Sequence, residues 1–194
     1  MNITKKTFAL ITLFSFLIAP LALLSKDESV PLPDAPEGFT WESASEIQGA
    51  LLKPDGWHFK KGKSKNSILY FITKEKFKKA PVYKTGFSLK MTPDIPELYK
   101  MKPTEYAAKV RENSSKNLVI EKTWDQKAGS LMLYGFQYLG YKNEIPIRAF
   151  VIFLANDKTG TIFRIMFESP EKDWDETWKK GETIINNMIL DDEV

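Results

Sequence analysis

The most informative segment of this chain is residues 147–189, IRAFVIFLANDKTGTIFRIMFESPEKDWDETWKKGETIINNMI. Its consecutive apolar residues at 150–154 predict a strand that is covered on both faces. The short, turn-rich segment at 156–160 separates this strand from a second one at 161–168. A helical pattern follows, so the segment predicts antiparallel strands that a C-terminal helix covers.

The predicted C-terminal helix begins after Asp173, which we expect to cap it, with Glu176 at the third helical position. Glycine within its apolar face would allow a strand to approach closely at Gly181. Full burial of Trp178 would make its removal cost about 3–5 kcal/mol. The apolar face is predicted to consist of Trp174, Trp178, Gly181, Ile185, Met188 and Ile189.

The sequence predicts an α+β fold. We expect an α/β/α sandwich with a central, mainly antiparallel sheet of about six strands and a C-terminal helix packed on it. Residues 104–115 predict a further helix that buries Tyr106, Ala107 and Val110. Residues 41–52 fit either a helix or a short strand. The predicted strands are 67–73, 85–91, 118–124, 131–141, 147–155 and 161–168.

The first 25 residues are typical of an export leader, because Lys5 and Lys6 precede an apolar run at 8–24. Neither candidate cleavage position has small residues at both required places, so an uncleaved membrane anchor formed by residues 8–24 is the alternative. We therefore expect an exported protein in a periplasmic, lumenal or extracellular compartment.

Downstream of the leader, prolines alternate with acidic and small residues at 26–39, which predicts an extended linker. The remaining residues, 40–194, are a suitable length for a single domain with its own core. We expect this domain to be a monomer.

The composition excludes several classes of site. The chain contains no cysteine and one histidine, which rules out disulfides, thiol catalysis and multi-histidine metal sites. The cations are almost all lysine, with only Arg111, Arg148 and Arg164, and the net charge is only +3. Because base and phosphate recognition favours arginine, we expect no nucleic-acid partner. We also expect no cofactor and no metal ion.

Lysine is concentrated between residues 53 and 84, whereas the segment from 168 onward is acidic. Such segregation can direct a domain to an acidic partner or an anionic membrane surface. The alternative is that the lysines keep the domain soluble and protect a sheet edge. The candidate partner-binding residues are His58, Lys60, Lys61, Lys63 and Lys65.

No nucleophile motif or phosphate-binding glycine loop accompanies His58, so we expect a partly exposed histidine at a strand end. The acidic groups at 173–176 and 191–193 are typical of a helix start and a solvated tail. Tyr134, Phe136 and Tyr138 share one strand face, which favours core packing over a groove for an apolar ligand.

Several motifs between residues 40 and 190 together resemble the PsbP-like family, in an exported bacterial-type form. The resemblance implies an α/β/α sandwich, shared with a Ran-binding nuclear-import factor, and a non-catalytic role. No binding residue is carried over from the family. The motifs are Pro54-Asp55-Gly56-Trp57, Tyr70-Phe71-Ile72, Thr85-Gly86-Phe87 and Phe167-Glu168-Ser169-Pro170, followed by Trp174 and Trp178.

The leading functional hypothesis is a non-enzymatic, exported accessory domain that binds a protein or a membrane-associated complex, with peripheral membrane contact left open. The alternatives are a protein like an extrinsic subunit of photosystem II, a carrier of a small apolar ligand, and an enzyme that uses His58.

Overall fold

The computed structural model describes residues 32–76 and 83–191. The first two strands, β1 (Phe39–Ala44) and β2 (Gly49–Pro54), form a separate antiparallel hairpin. The remaining strands are β3 (His58–Ser64), β4 (Ser67–Thr73), β5 (Gly86–Thr92), β6 (Val119–Ala128), β7 (Leu131–Lys142), β8 (Ile145–Asn156) and β9 (Thr161–Pro170). They form one antiparallel sheet of seven strands in the order β3-β4-β5-β9-β8-β7-β6.

Three helices accompany the strands in the described residues: α1 (Ile95–Tyr99), α2 (Pro103–Ser115) and α3 (Trp174–Asn187). The layout is sheet-rich, since 51% of the structure is strand. The helix predicted at 104–115 is confirmed as α2. Within it Ala107 is buried, whereas Tyr106 and Val110 are only partly buried against the same apolar cluster.

Strand β8 shows why the sheet must be covered on both faces. Ile152 and Leu154 lie in an apolar cluster with residues of α3, whereas Val151 and Phe153 lie in a second cluster with α2. Alternate side chains of a strand point to opposite faces, so a continuous apolar run needs both clusters. The predicted cover on both faces is confirmed, with residues 151–154 buried and Phe150 half-buried.

The large sheet has seven strands rather than about six, because the sequence did not reveal β3. Its sequence, HFKKGKS, has a single large apolar residue, Phe59, and therefore no apolar alternation. An outer strand needs little apolar surface, since only one edge and part of one face are covered.

The ambiguous segment at 41–52 forms neither one helix nor one strand. It contains most of the β1–β2 hairpin, whose strands are joined by a short 3-10 turn, Ser45–Ile47. Of the four apolar residues that recur at helical spacing, Ala44, Ile47 and Leu51 are fully buried in the cluster beneath α3, whereas Trp41 is half-buried. The helical alternative was wrong, and the strand alternative corresponds to two strands rather than one.

The start and end of the C-terminal helix both differ from the prediction. Asp173 occupies the N-cap position, but its side chain makes no capping hydrogen bond, because a 3-10 turn, Glu171–Asp173, leads directly into α3. The helix ends at Asn187, so the last two residues of the predicted stripe lie beyond it. Ile189 instead exchanges backbone hydrogen bonds of 2.9 and 3.1 Å with Ala50 of β2.

Trp178 is half-buried, so the cost predicted for its complete burial does not apply to it. The predicted close approach at Gly181 is confirmed. A Cβ atom added there would lie 2.6 Å from two ring carbons of Phe167.

Gly181→Ala is therefore expected to destabilise the protein, although alanine is the better helix former. The helix propensity of alanine favours the variant by about 1 kcal/mol, whereas overpacking a core costs about 1–3 kcal/mol. We expect a net loss of about 1 kcal/mol, measured by urea unfolding. The control is Gly62→Ala, whose Cβ would meet the Phe71 ring at 3.5 Å, an ordinary contact. A Gly181→Ala variant more stable than wild type would contradict the close packing.

The predicted leader, residues 1–25, and the first part of the predicted linker lie outside the described residues, as do residues 192–194 of the acidic tail. The division of the chain into leader, linker and domain therefore stays a prediction. Among the described residues, no helix has both the length and the apolar character needed to cross a bilayer.

Candidate functional site

The candidate lysines do not form one patch, because they lie on different faces of β3 and in the turn after it. Side chains alternate along a strand, so Lys60 shares one face with His58, while Lys61 and Lys63 share the other with Phe59. Phe59 packs against the apolar cluster beneath α3, so the face that it shares with Lys61 and Lys63 is the one that faces this cluster. The lysine that follows the strand, Lys65, lies in the hairpin turn to β4.

Lys61 is already engaged within the domain. Its ammonium group forms an ion pair with Glu46, which also accepts a hydrogen bond from the hydroxyl of Tyr70. Tyr70 is fully buried, and this burial raises the pKa of its phenol. Lys61 therefore has a structural partner that links β3 to the turn of the β1–β2 hairpin.

Lys63 and Lys65 differ from Lys61, since both are exposed and neither forms an ion pair with any residue in the described part of the chain. They line a groove of about 450 Å³ at the end of the sheet, where the β3–β4 turn lies beside the start of α1. The structure thus brings two of the five candidate residues to one concave surface.

The opposite side of this groove is acidic and its base is apolar. Asp94 and Glu97, at the start of α1, are exposed and face the same space as the lysines. No ion pair crosses the groove between the described acids and lysines. Ile68 and Leu98 supply apolar surface, and Leu98 is 39% exposed. The groove therefore offers positive, apolar and negative surfaces side by side.

His58 lies elsewhere. It is the first residue of β3, is half-buried, and pairs with Thr73, at the end of the strand away from Lys63. It does not line the groove. In the described residues no group of three or more histidine, aspartate or glutamate side chains is placed to bind a metal ion.

The aromatic row on β7 belongs to the core. Phe136 is buried, and Tyr134 and Tyr138 pack around it in the cluster covered by α2. The guanidinium of Arg111 lies 5.2 Å from the centre of the Tyr134 ring. Burial is the main cause that raises the pKa of Tyr138. Core packing therefore explains this row.

Sequence reasoning missed a buried ion pair between Lys142, at the end of β7, and Glu168, in β9. Glu168 is 4% exposed, and the ammonium of Lys142 also lies 4.5 Å from the centre of the Tyr83 ring. Burial, together with the charge of Glu168, raises the pKa of Tyr83 above its usual range. The available signal was Glu168, a charged residue in the largely apolar strand β9, but nothing nearby in the sequence identified its partner.

The acidic wall of the groove was missed as well. Asp94 and Glu97 follow a proline-containing loop about thirty residues from the lysines. Only the antiparallel pairing of β3, β4 and β5 brings the two segments together. Their opposite charges could be read from the sequence, whereas their proximity could not.

No protein-family model and no curated protein matches this chain. Among solved structures, PsbP from the cyanobacterium Synechocystis sp. PCC 6803 has a TM-score of 0.49 and 13% identity over 84% of this chain and 98% of its own. The Pseudomonas aeruginosa protein of unknown function PA94 has a TM-score of 0.42 and 15% identity, covering 75% of this chain and 94% of its own.

LpqN of Mycobacterium tuberculosis, described as involved in cell envelope biogenesis, has a TM-score of 0.34 and 10% identity, covering 84% of this chain and 83% of its own. These likenesses concern the fold alone. The solved structures similar to the chain thus include a PsbP, which the motifs resemble, and membership of that family stays a prediction.

Proposed function

We propose that this chain is a non-enzymatic protein-binding domain that docks an acidic segment of a partner against the lysine-bearing end of β3. The observation that carries the proposal is the groove at this end of the sheet. There, Lys63 and Lys65 are exposed and form no ion pair with the described residues, next to the apolar surface of Ile68 and Leu98. No catalytic residue is part of the proposal.

The groove combines two contributions that protein recognition uses. Exposed charges steer association and exclude partners of the wrong sign, whereas apolar contacts at the centre of an interface supply most of the affinity. Cations that already have buried partners within the domain, such as Lys142, contribute less, because binding would require them to exchange one carboxylate for another. Lys63 and Lys65 carry no such cost.

The predicted leader supports a second part of the proposal, that the domain works outside the cytoplasm as an accessory to a membrane-associated complex. A partner of this kind would be present in the envelope fraction of the source cells. Contacts between exposed charges are screened by salt, so we expect the complex to weaken as the ionic strength rises.

Reversing both lysines, Lys63→Glu with Lys65→Glu, is expected to reduce capture of the partner about tenfold or more, because each reversal replaces attraction by repulsion. The measurement is affinity capture with the tagged full chain from the envelope fraction, followed by quantitative mass spectrometry. Surface substitutions change stability by about 0.5 kcal/mol at most, so the melting temperature should move by only about 2 °C.

The matched control is Lys122→Glu with Lys127→Glu. Both lysines are exposed on β6, the opposite edge of the same sheet, and neither forms an ion pair with the described residues. This variant has the same change of net charge and should capture the partner as wild type does. Equal capture by wild type and both variants would contradict the proposed docking surface.

A further inference from the structure

We infer that the partner segment binds as an additional strand along the outer edge of β3, with an apolar side chain at its end in the groove. This inference rests on the proposed function and specifies how the partner is held. Its first support is the position of β3, which pairs with β4 on one side and with no described strand on the other. A strand in this position presents backbone donors and acceptors that a second chain can pair with.

The two edges of the sheet differ in how well they could accept a strand. The pairing of β3 with β4 is continuous from His58↔Thr73 to Ser64↔Ser67. The opposite edge strand, β6, has an irregularity between Ile120 and Lys122, where its register with β7 shifts. Such bulges twist an edge and interrupt further pairing, so they protect it. The edge at β3 has no bulge and no proline. Its lysines are therefore the main feature that disfavours pairing with another strand.

Lysines deter a strand that carries no complementary charge, but they favour an acidic one. Lys61 and Lys63 lie on the same face of β3, two residues apart, so acidic residues at alternate positions of an added strand would stand beside them. Lys61 already has one carboxylate partner in Glu46, so the stronger attraction falls on Lys63. The edge therefore selects for segments that alternate acidic and β-forming residues.

The groove favours an apolar residue immediately after the acidic run. Its lining adjoins Lys63 at the end of β3 and combines the apolar surface of Ile68 and Leu98 with the acidic wall, so an apolar residue at this end of the segment fits better than a further acid. A leucine-sized side chain would cover the exposed part of Leu98. The ligand is thus an extended acidic segment that ends in an apolar residue.

The test uses a fluorescein-labelled peptide, Glu-Val-Glu-Val-Glu-Val-Leu, and the full chain, with binding followed by fluorescence anisotropy. Two versions carry N-methyl groups on alternate backbone nitrogens, in opposite phases. In an added strand only one phase points toward β3, so one version should bind about tenfold more weakly or worse, and the other like the parent peptide. Equal binding of both versions, or no binding of the parent peptide, would overturn strand addition.

The groove contact is tested separately with Leu98→Ser, a change at a half-exposed position. Replacing the leucine of the peptide by alanine should weaken binding to wild type up to about tenfold, and binding to Leu98→Ser hardly at all. The same loss on both proteins would show that the peptide leucine does not enter the groove, which contradicts that part of the inference.

The outcomes for the inference and for the proposed function are distinguishable. Peptide binding that disappears in Lys63→Glu with Lys65→Glu, but is insensitive to the N-methyl phase, would overturn strand addition and leave the acidic docking surface intact. Partner capture that is unchanged by the same lysine reversals would contradict the proposed function itself, whatever the peptides do.

Discussion

Phe167→Ala is expected to lower the free energy of unfolding by about 3–5 kcal/mol, the usual cost of removing a large buried aromatic side chain. Phe167 is fully buried in β9, directly beneath α3 and Gly181. Its ring is the centre of an aromatic cluster, and such contacts add to the energy of burial. Its ring centroid lies 6.4, 5.9 and 5.7 Å from those of Trp57, Trp174 and Trp178.

The measurement is equilibrium unfolding in urea, followed by the fluorescence of the tryptophans around the ring. Tyr141→Ala is the matched control, because Tyr141 is 79% exposed at the end of β7 and its removal should change stability by only about 0.5 kcal/mol. Similar losses in the two variants would contradict the central position of Phe167 in the core.

The interior strands were predictable from the sequence because their burial dictates their composition. Strands β4 and β8 have cover on both faces, and the runs at 68–72 and 150–154 are accordingly apolar throughout. The helix α2 was predictable for a related reason, since its inward residues recur at helical spacing. In these elements the local pattern of apolar residues matches the burial that the fold imposes on them.

The outer strand β3 and the β1–β2 hairpin were not predictable, for two different reasons. The composition of β3 is set by solvent and by its edge position, and therefore resembles that of a loop. In the hairpin, the sequence pattern fitted a helix and a short strand about equally well, so it did not decide between them. The turn at Ser45–Ile47 depends on Gln48, which adopts a left-handed conformation with φ of 44°. No local sequence signal predicts this conformation, because it is uncommon for residues other than glycine.

The sequence predicted which part of the chain carries the candidate site, but not the geometry of that site. The lysine concentration identified the correct part of the chain, but not that Lys61 has a partner in Glu46 and that Lys63 and Lys65 line a groove. These facts depend on residues more than ten positions apart, which the fold brings together. Charge patterns therefore locate a surface, whereas its shape and its available cations require the structure.

The same distinction between engaged and available lysines leads to the second large effect, at Lys142. Lys142→Met is expected to destabilise the protein by about 3 kcal/mol at neutral pH, because it leaves the carboxylate of Glu168 buried without its cation. The value is at the lower end of the usual range because the Lys142 side chain is 33% exposed, so water can partly replace it. Methionine retains the apolar stem, and the loss is therefore one of charge rather than of packing.

We attribute the loss to the burial of the Glu168 carboxylate rather than to the breaking of an ion pair as such. Lys116→Met is the matched control, since it breaks an ion pair with Glu112 in which both side chains are mostly exposed, and it should cost about 0.5 kcal/mol or less.

The double variant, Lys142→Met with Glu168→Leu, provides the decisive comparison. If the cost of the single variant comes from an unpaired buried carboxylate, removing that carboxylate as well should restore most of the lost stability, because apolar replacements of buried ion pairs are often neutral or stabilising. Urea unfolding of the wild type, both single variants and the double variant gives the coupling energy between the two sites directly. Additive losses would show that Lys142 and Glu168 act independently, and that the contact between β7 and β9 does not depend on their charges.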